Sequence, residues 1–392
     1  MTASAPARVG RSEFIQVGRF VAAGLVLVTH STYYYGKYVD GSVQIWHWGE
    51  IGVPIFFVIS GIVMVMSSTR LKRDASGARE FSIRRLVRIV PLYWLATTAN
   101  ILIFFAVPWV VARVSAGSTL PWADGTRLDV VYAIKSYLFV PAYNSAGRIE
   151  PIHGVGWTLL HEMFFYALFA LVMLARGRPQ RWVSGIIVGL FAIGWVAGPD
   201  SVILRNAILN VMTSPVNLYF VIGMAIGSAI VWGDAHRRWT QALTGGLLVG
   251  ALVMWLPGMQ ESVPLKPLPL ALGAAMLVLT NWRMLGLARV GVALGNSSYS
   301  LYLFHPLIAP VLIIALHKVL PLGAPVTIIV TWFAVVAIAH GIYLWVENPM
   351  TQWAKRLFHR FPRPAPAPPV DQPEPQVRSA DQPEPEPEPT TS

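Results

Sequence analysis

The sequence predicts an all-α protein that crosses a membrane about ten times. Of its 392 residues 55% are hydrophobic and only 12% charged, whereas a soluble domain carries about 25% charged residues. The apolar residues fall into repeated blocks close to the roughly 17 to 25 that span a bilayer. Lys and Arg collect on alternate connections between those blocks, the bias that orients membrane helices.

The first block, Phe14 to His30, has the length of a signal peptide, but it carries Arg19 and lacks a small-residue cleavage signature, so it reads as a retained helix. Ile51 to Ser67 and Leu86 to Val110 follow, on either side of the most basic connection. The long segment from Pro108 to Val155 carries Asp124, Asp129 and Glu150 and an amphipathic stretch near Leu128 to Val140; it reads as a cap on the membrane, and long ordered loops are often functional. Gly156 to Ala175, Val183 to Val196 and Val216 to Trp232 come next. Gln241 to Leu256 and Pro267 to Asn281 are short spans joined by a proline-rich link. Ser298 to Leu316 and Val326 to Val346 complete the ten.

With the N-terminus in the cytoplasm, 20 of the Lys and Arg up to Arg363 lie on the inner segments and 8 on the outer ones. Both termini are therefore expected in the cytoplasm, on a bacterial inner membrane. The expected domains are a cytoplasmic N-terminus over 1–13, a transmembrane domain over 14–349, and a tail over 361–392. That tail repeats Asp-Gln-Pro-Glu-Pro from Asp371 and Asp381, a composition that buries no core and is expected to be disordered and cytoplasmic. The net charge of +11 is explained by the inner loops and membrane lipids, which argues against a nucleic-acid partner. Zero cysteines exclude disulfides, thiolate catalysis and Cys-type metal sites. No bound metal is expected.

Charged residues inside spans cost roughly 2.5 to 3.5 kcal/mol each on insertion scales, so they are functional candidates by default. Arg19 and His30 are eleven residues apart. Eleven steps of about 100° return to within about 20° of the start, with about 16 Å of rise, so both lie on one face. The alternative is that Arg19 snorkels to the headgroups and His30 ends the helix at the outer interface. In the fourth span Thr158, Glu162 and Tyr166 share a face at i, i+4 and i+8, which brings a carboxylate into the bilayer between two hydroxyls. The alternative there is a structural pairing of Glu162 with an Arg or His of a neighbouring helix. Ser298, Tyr302 and His305 form another polar stripe, before Pro306; as plain interhelical hydrogen bonds they would contribute about 0.6 kcal/mol each. Arg84, Arg85 and Arg88 end the basic connection. Their guanidinium forks suit anionic headgroups or the phosphates of a nucleotide-containing cosubstrate, and orientation does not choose between them.

Five motifs in order then resemble the acyltransferase 3 family of membrane O-acyltransferases, and within it exopolysaccharide acetyltransferases of the ExoZ type. They are Arg19 with His30 after ten intervening residues, Gly52 to Gly61, Arg84 to Tyr93, Gly156-Trp157-Thr158 through Glu162 to Tyr166, and Gly295 to Pro306. Together they cover the chain from about Phe14 to Pro349. Two positions depart from the pattern: Pro54, where the family commonly carries an acidic residue, and His161, where close relatives carry an amide or an aromatic. The resemblance implies a ten-helix fold and transfer of an acyl group, acetyl above all, from acyl-CoA to a hydroxyl of an exopolysaccharide or its lipid-linked precursor. It implies His30 as general base, Glu162 and Arg19 as further catalytic residues, Arg84, Arg85 and Arg88 on the CoA, and Trp157, Tyr166, Tyr302 and His305 on the carbohydrate acceptor. A glycolipid transporter or flippase is the main alternative, since polar cavity linings also serve translocation. No internal repeat of the kind common in transporters is visible. A membrane glycosyltransferase would want acidic pairs for a metal-bound sugar nucleotide, and Asp and Glu are scarce within these spans.

Overall fold

A computed structural model describes residues 6–114, 129–198, 200–232, 237–254 and 288–358. Among them the protein is helical, and eight helices are long and apolar enough to cross a membrane. The chain is an all-α, multi-pass membrane protein. The expected span from Pro267 to Asn281 lies outside the described residues, as does the tail beyond 358. A shorter apolar helix, Gln241–Gly250, falls on the seventh expected span.

The helices in chain order are α1 (Pro6–Tyr38), α2 (Gly52–Ser68), α3 (Ala75–Val114), α4 (Val130–Tyr137), α5 (Trp157–Leu174), α6 (Pro179–Ala197) and α7 (Val202–Arg205). They continue with α8 (Ala207–Thr213), α9 (Leu218–Trp232), α10 (Arg237–Met254), α11 (Ala288–Asn296), α12 (Ser298–Val319), α13 (Ala324–Ile342) and α14 (Asn348–Phe358). A 3₁₀ turn, His47–Ile51, leads into α2, and a π turn, Tyr343–Glu347, joins α13 to α14.

The third span differs from the sequence expectation at its start. Helix α3 begins at Ala75 rather than at Leu86, because Asp74 caps it: its carboxylate accepts from the Gly77 amide at 2.9 Å and the Ser76 hydroxyl at 2.8 Å. These hydrogen bonds hold the Asp74 carboxyl below its ordinary range, as expected when the charged form accepts backbone and hydroxyl donors. Most of the basic connection is thus helix, and Arg84, Arg85 and Arg88 stand at fixed angles around one rod. In the expected cap segment, α4 is helical over eight residues, capped by Asp129. It leaves Val130, Val131, Ile134 and Leu138 exposed, while its other face is tied to α3 through Tyr93 and Trp94, which donate to the Ser136 and Tyr137 carbonyls.

Lipid offers helices no hydrophobic reward for meeting, so close packing of small residues selects the contacts. The most extensive interface joins α2 to α9. A Cβ on Gly61 would stand 2.4 Å from the Phe220 carbonyl, and one on Gly223 would stand 2.1 Å from that of Val58. Helix α1 is held against α2, α11, α12 and α13. Gly52 allows the first of these approaches, since its Cβ would lie 2.2 Å from the Ala22 carbonyl. A core of buried residues from α2, α3, α5, α9 and α12, including Phe57, Phe81, Tyr93, Phe165 and Phe220, fills the space between these rods.

Candidate active site between the spans

Five helices line a cavity with about 740 Å³ of empty space, its open side included. Arg19 reaches it from α1, Arg85 and Arg88 from α3, Glu162 and Tyr166 from α5, and Tyr302 from α12. Helix α2 contributes Phe56, Phe57 and Ser60. Arg85 and Arg88 project together because three residues make about 300° of helical turn.

Arg85 is anchored rather than swinging free. Its guanidinium donates to the Ser67 hydroxyl and, at 3.4 Å, to the Val63 carbonyl, both on α2. The same group lies 5.7 Å from the ring centres of Phe81 and Tyr166. Arg84 points elsewhere, pairing with Glu80 one turn earlier with 57% of its side chain exposed; it is not in the cavity wall.

Glu162 accepts from Ser60 at 3.0 Å and from Tyr166. The intrahelical spacing foreshadows the Tyr166 contact, whereas Ser60 is a partner that sequence reasoning missed although it lies in the Gly52 to Gly61 motif. Thr158, the third member of the stripe, meets the Tyr302 hydroxyl at 2.9 Å, and Tyr302 donates to the Val155 carbonyl at 2.9 Å. Tyr302 therefore belongs both to the cavity wall and to the layer above it.

That layer holds His30. Its Nδ1 lies 2.6 Å from Nε2 of His305, and the two ring centres are 4.8 Å apart. Tyr34 stacks against His30, with ring centres 6.0 Å apart and planes tilted by 27°. The Tyr302 ring is 6.0 Å from that of His305, so cavity and histidine pair are neighbours across one tyrosine. Neither His30 nor His305 lines the Arg-rich cavity itself, and Glu162 is engaged by Ser60 and Tyr166 rather than by His30. His153, which sequence reasoning also missed, donates through Nε2 to the Leu303 carbonyl at 2.8 Å and is 1% exposed. Burial pushes its imidazole down to about 4, against the raising effect of that carbonyl.

Three further residues have structural partners. Trp157 lies off the cavity wall, edge-on to His161 at 5.8 Å. His161 pairs through Nδ1 with the Asn217 side-chain oxygen at 3.0 Å, and the Asn217 amide donates to the Val211 and Met212 carbonyls. This departure from the family pattern ties α5 to the turn between α8 and α9. Glu347, missed in the sequence reading, is buried in the π turn and accepts from the Ser300 amide at 3.2 Å and hydroxyl at 2.5 Å. Its signal was a lone carboxylate at the end of an apolar run, and π turns of this kind often mark functional sites.

The acyltransferase domain model Acyl_transf_3 matches residues 12–345. The exopolysaccharide production protein ExoZ of Rhizobium meliloti is 33% identical over 310 residues, covering 77% of this chain and 89% of the relative. Acyltransferase MdmB of Streptomyces mycarofaciens is 28% identical over 283 residues, 66% of this chain and 67% of the relative. Nodulation protein 10 of Rhizobium leguminosarum is 24% identical over 279 residues, covering 67% and 72%. No solved structure matches the chain. With the family's domain matched over residues 12–345, most of the chain, the protein belongs to the acyltransferase 3 family of membrane acyltransferases.

Proposed function

We propose that this acyltransferase carries an acetyl group from acetyl-CoA to a carbohydrate hydroxyl, on an exopolysaccharide or its lipid-linked precursor. The observation that carries the reading is the convergence of Arg19, Arg85 and Arg88 on one cavity between the spans, one tyrosine away from the His30–His305 pair. Guanidinium groups bind phosphate through paired hydrogen bonds, and lipid headgroups alone would not call for them inside a walled cavity. Arg85 and Arg88, with Arg19, hold the CoA. Arg84, paired with Glu80 on an exposed face, contributes least.

In the reaction His30 takes the proton of the acceptor hydroxyl as its oxygen attacks the thioester carbonyl. The C–S bond then breaks, and the imidazolium returns that proton to the departing sulfur, leaving an ester and free CoA thiol. An imidazole suits this exchange at neutral pH. Glu162, fixed by Ser60 and Tyr166, supplies the carboxylate that keeps the arginine-lined wall from being uniformly positive. Trp157, against His161 rather than in the wall, is the weakest of the acceptor candidates. Similarity to an exopolysaccharide production protein supports a glycan acceptor. The distribution of Lys and Arg supports a bacterial inner-membrane location with both termini cytoplasmic.

The test is mass spectrometry of surface polysaccharide from a deletion strain. Ester-linked acetate is expected to vanish and to return with the wild-type gene, but not with His30→Ala at matched protein levels. Removal of a general base is expected to lower transfer by about 10²- to 10⁴-fold. Unchanged acetate in the deletion strain sinks the acceptor assignment, and near-normal activity of His30→Ala sinks the base.

A further inference from the structure

The contact between His30 and His305 contains more chemistry than proximity. A 2.6 Å separation between two ring nitrogens is a hydrogen bond only if one of them carries a hydrogen and the other a lone pair. Which is which follows from the far side of His305. Its Nδ1 lies 3.2 Å from the Leu301 carbonyl, and a carbonyl only accepts. Nδ1 of His305 therefore bears the hydrogen, and in the neutral ring Nε2 is then a lone pair. The hydrogen in the short contact must belong to Nδ1 of His30. By the same rule the lone pair of His30 is on Nε2, the nitrogen across the ring.

We propose that His305 is a positioning residue for His30: it locks His30 in the tautomer whose Nε2 is free to take the acceptor's proton. This rests on the reading of His30 as general base. The ring is held in orientation as well as in tautomer, by the contact with His305 and by the stacked Tyr34. Rotating the His30 ring by half a turn would put a C–H in place of the Nδ1–H, and the other tautomer would set a lone pair against the lone pair of His305. When Nε2 accepts the proton, the Nδ1–H to His305 bond becomes charge-assisted and strengthens, so the pair favours the state formed during attack.

The device differs from the usual one, in which a carboxylate orients the catalytic histidine. Glu162, the carboxylate the sequence offered for that task, is engaged with Ser60 and Tyr166. The charged or titratable groups facing the pair are Glu50, whose charge reaches His30 from the 3₁₀ turn, Tyr34 on α1, His153 before α5, and Tyr302 on α12. The orienting group is thus a neutral imidazole backed by a main-chain carbonyl.

The assignment is tested first on the unaltered protein, by NMR of ¹⁵N-histidine-labelled enzyme in lipid. Two histidines are expected as neutral Nδ1–H tautomers, one coupled across an N–H···N bond to Nε2 of the other, with the first one's signals and the coupling lost in His30→Gln while the second one's signals remain. A His30 signal in the Nε2–H form overturns the proposal without touching the general-base reading. Kinetics supply the second arm. His305→Ala is expected to lower kcat about 10- to 100-fold, part of the range general-base catalysis supplies, with KM for acetyl-CoA and acceptor within twofold. His305→Gln, which offers an amide oxygen to Nδ1–H, is expected to recover part of that loss. His305→Asp is expected to move the acidic limb of the kcat profile upward by about one pH unit, as an adjacent anion does to an imidazole. A higher acceptor KM at unchanged kcat in His305→Ala would make His305 an acceptor ligand and overturn the positioning role. Activity retained by His30→Ala would overturn the base and the positioning role together.

Discussion

The guanidinium of Arg85 lies 5.7 Å from the ring centre of Tyr166, and Tyr166 donates its hydroxyl to Glu162. One aromatic ring therefore separates a cation from an anion in the wall of a shared cavity. Both charges keep cavity-facing surface while neither is left unpartnered: Arg85 is also bound by Ser67 on α2, and Glu162 by Ser60, about two turns earlier on the same helix. This arrangement makes the two ends separately testable.

Arg85→Lys keeps the charge but loses the planar fork and its stacking, and such a change is not conservative at a bound phosphate. In purified protein KM for acetyl-CoA is expected to rise about tenfold, roughly 1.4 kcal/mol of binding, with kcat little changed. Arg88→Ala is expected to do at least as much, and Arg84→Ala, on the exposed side, to do nothing measurable. Equal effects from all three in vesicles of differing anionic lipid content would return the cluster to the headgroups.

Glu162→Gln retains an oxygen to accept from Ser60 and Tyr166, whereas Glu162→Ala leaves both hydroxyls facing the cavity without that partner. An unsatisfied buried polar group costs about 1–3 kcal/mol, so the alanine variant is expected to melt lower in detergent and the glutamine variant to melt near wild type. Activity should separate from stability in the glutamine variant, which lacks the charge alone. Full activity there would show that the carboxylate acts only as a hydrogen-bond acceptor.

His153 gives a pH signature. Burial holds its imidazole at about 4, below the ordinary 6.5. Between those values the unfolded chain binds a proton that the native protein refuses, so stability is complete above pH 6.5 and falls as the pH drops toward 4. The slope is about 1.4 kcal/mol per pH unit, or roughly 3 kcal/mol across the window. His153→Gln can still donate to the Leu303 carbonyl but does not titrate. Melting at pH 7.5 and pH 5.0 is expected to show a larger acid loss in wild type than in the variant, and identical losses would remove His153 from the account.

Topology is accessible because the chain has no cysteine. Ser76, exposed at the start of α3, is expected to accept a membrane-impermeant thiol reagent as Ser76→Cys only after the membrane is opened from the cytoplasmic side. Labelling from outside in intact cells would invert the orientation. The prediction depends only on which loops carry Lys and Arg, so it is independent of the chemistry assigned to the cavity.

Much of this protein is legible in one dimension. Apolar blocks long enough to cross the bilayer set the fold class, because backbone groups in lipid must be satisfied within a helix. Helical period put Arg19 and His30 on one face of α1 and brought Tyr166 within reach of Glu162 on α5, since residues one turn apart meet whatever surrounds them. Local rules also account for the cap at Asp74, although the apolar pattern alone began α3 eleven residues late. What no local rule contains is which face meets which. His30 and His305 are 275 residues apart and Ser60 and Glu162 are 102 apart, and each helix carries a polar stripe that could have turned toward several neighbours. In lipid the hydrophobic effect does not discriminate among those pairings. The decision falls to close packing of backbones, as where Gly61 and Gly223 let α2 and α9 touch, while Ser60, the neighbour of Gly61, meets Glu162 of α5. Period determines the stripe, whereas packing determines its partner, and for that reason the histidine that orients His30 emerges only from the assembled bundle.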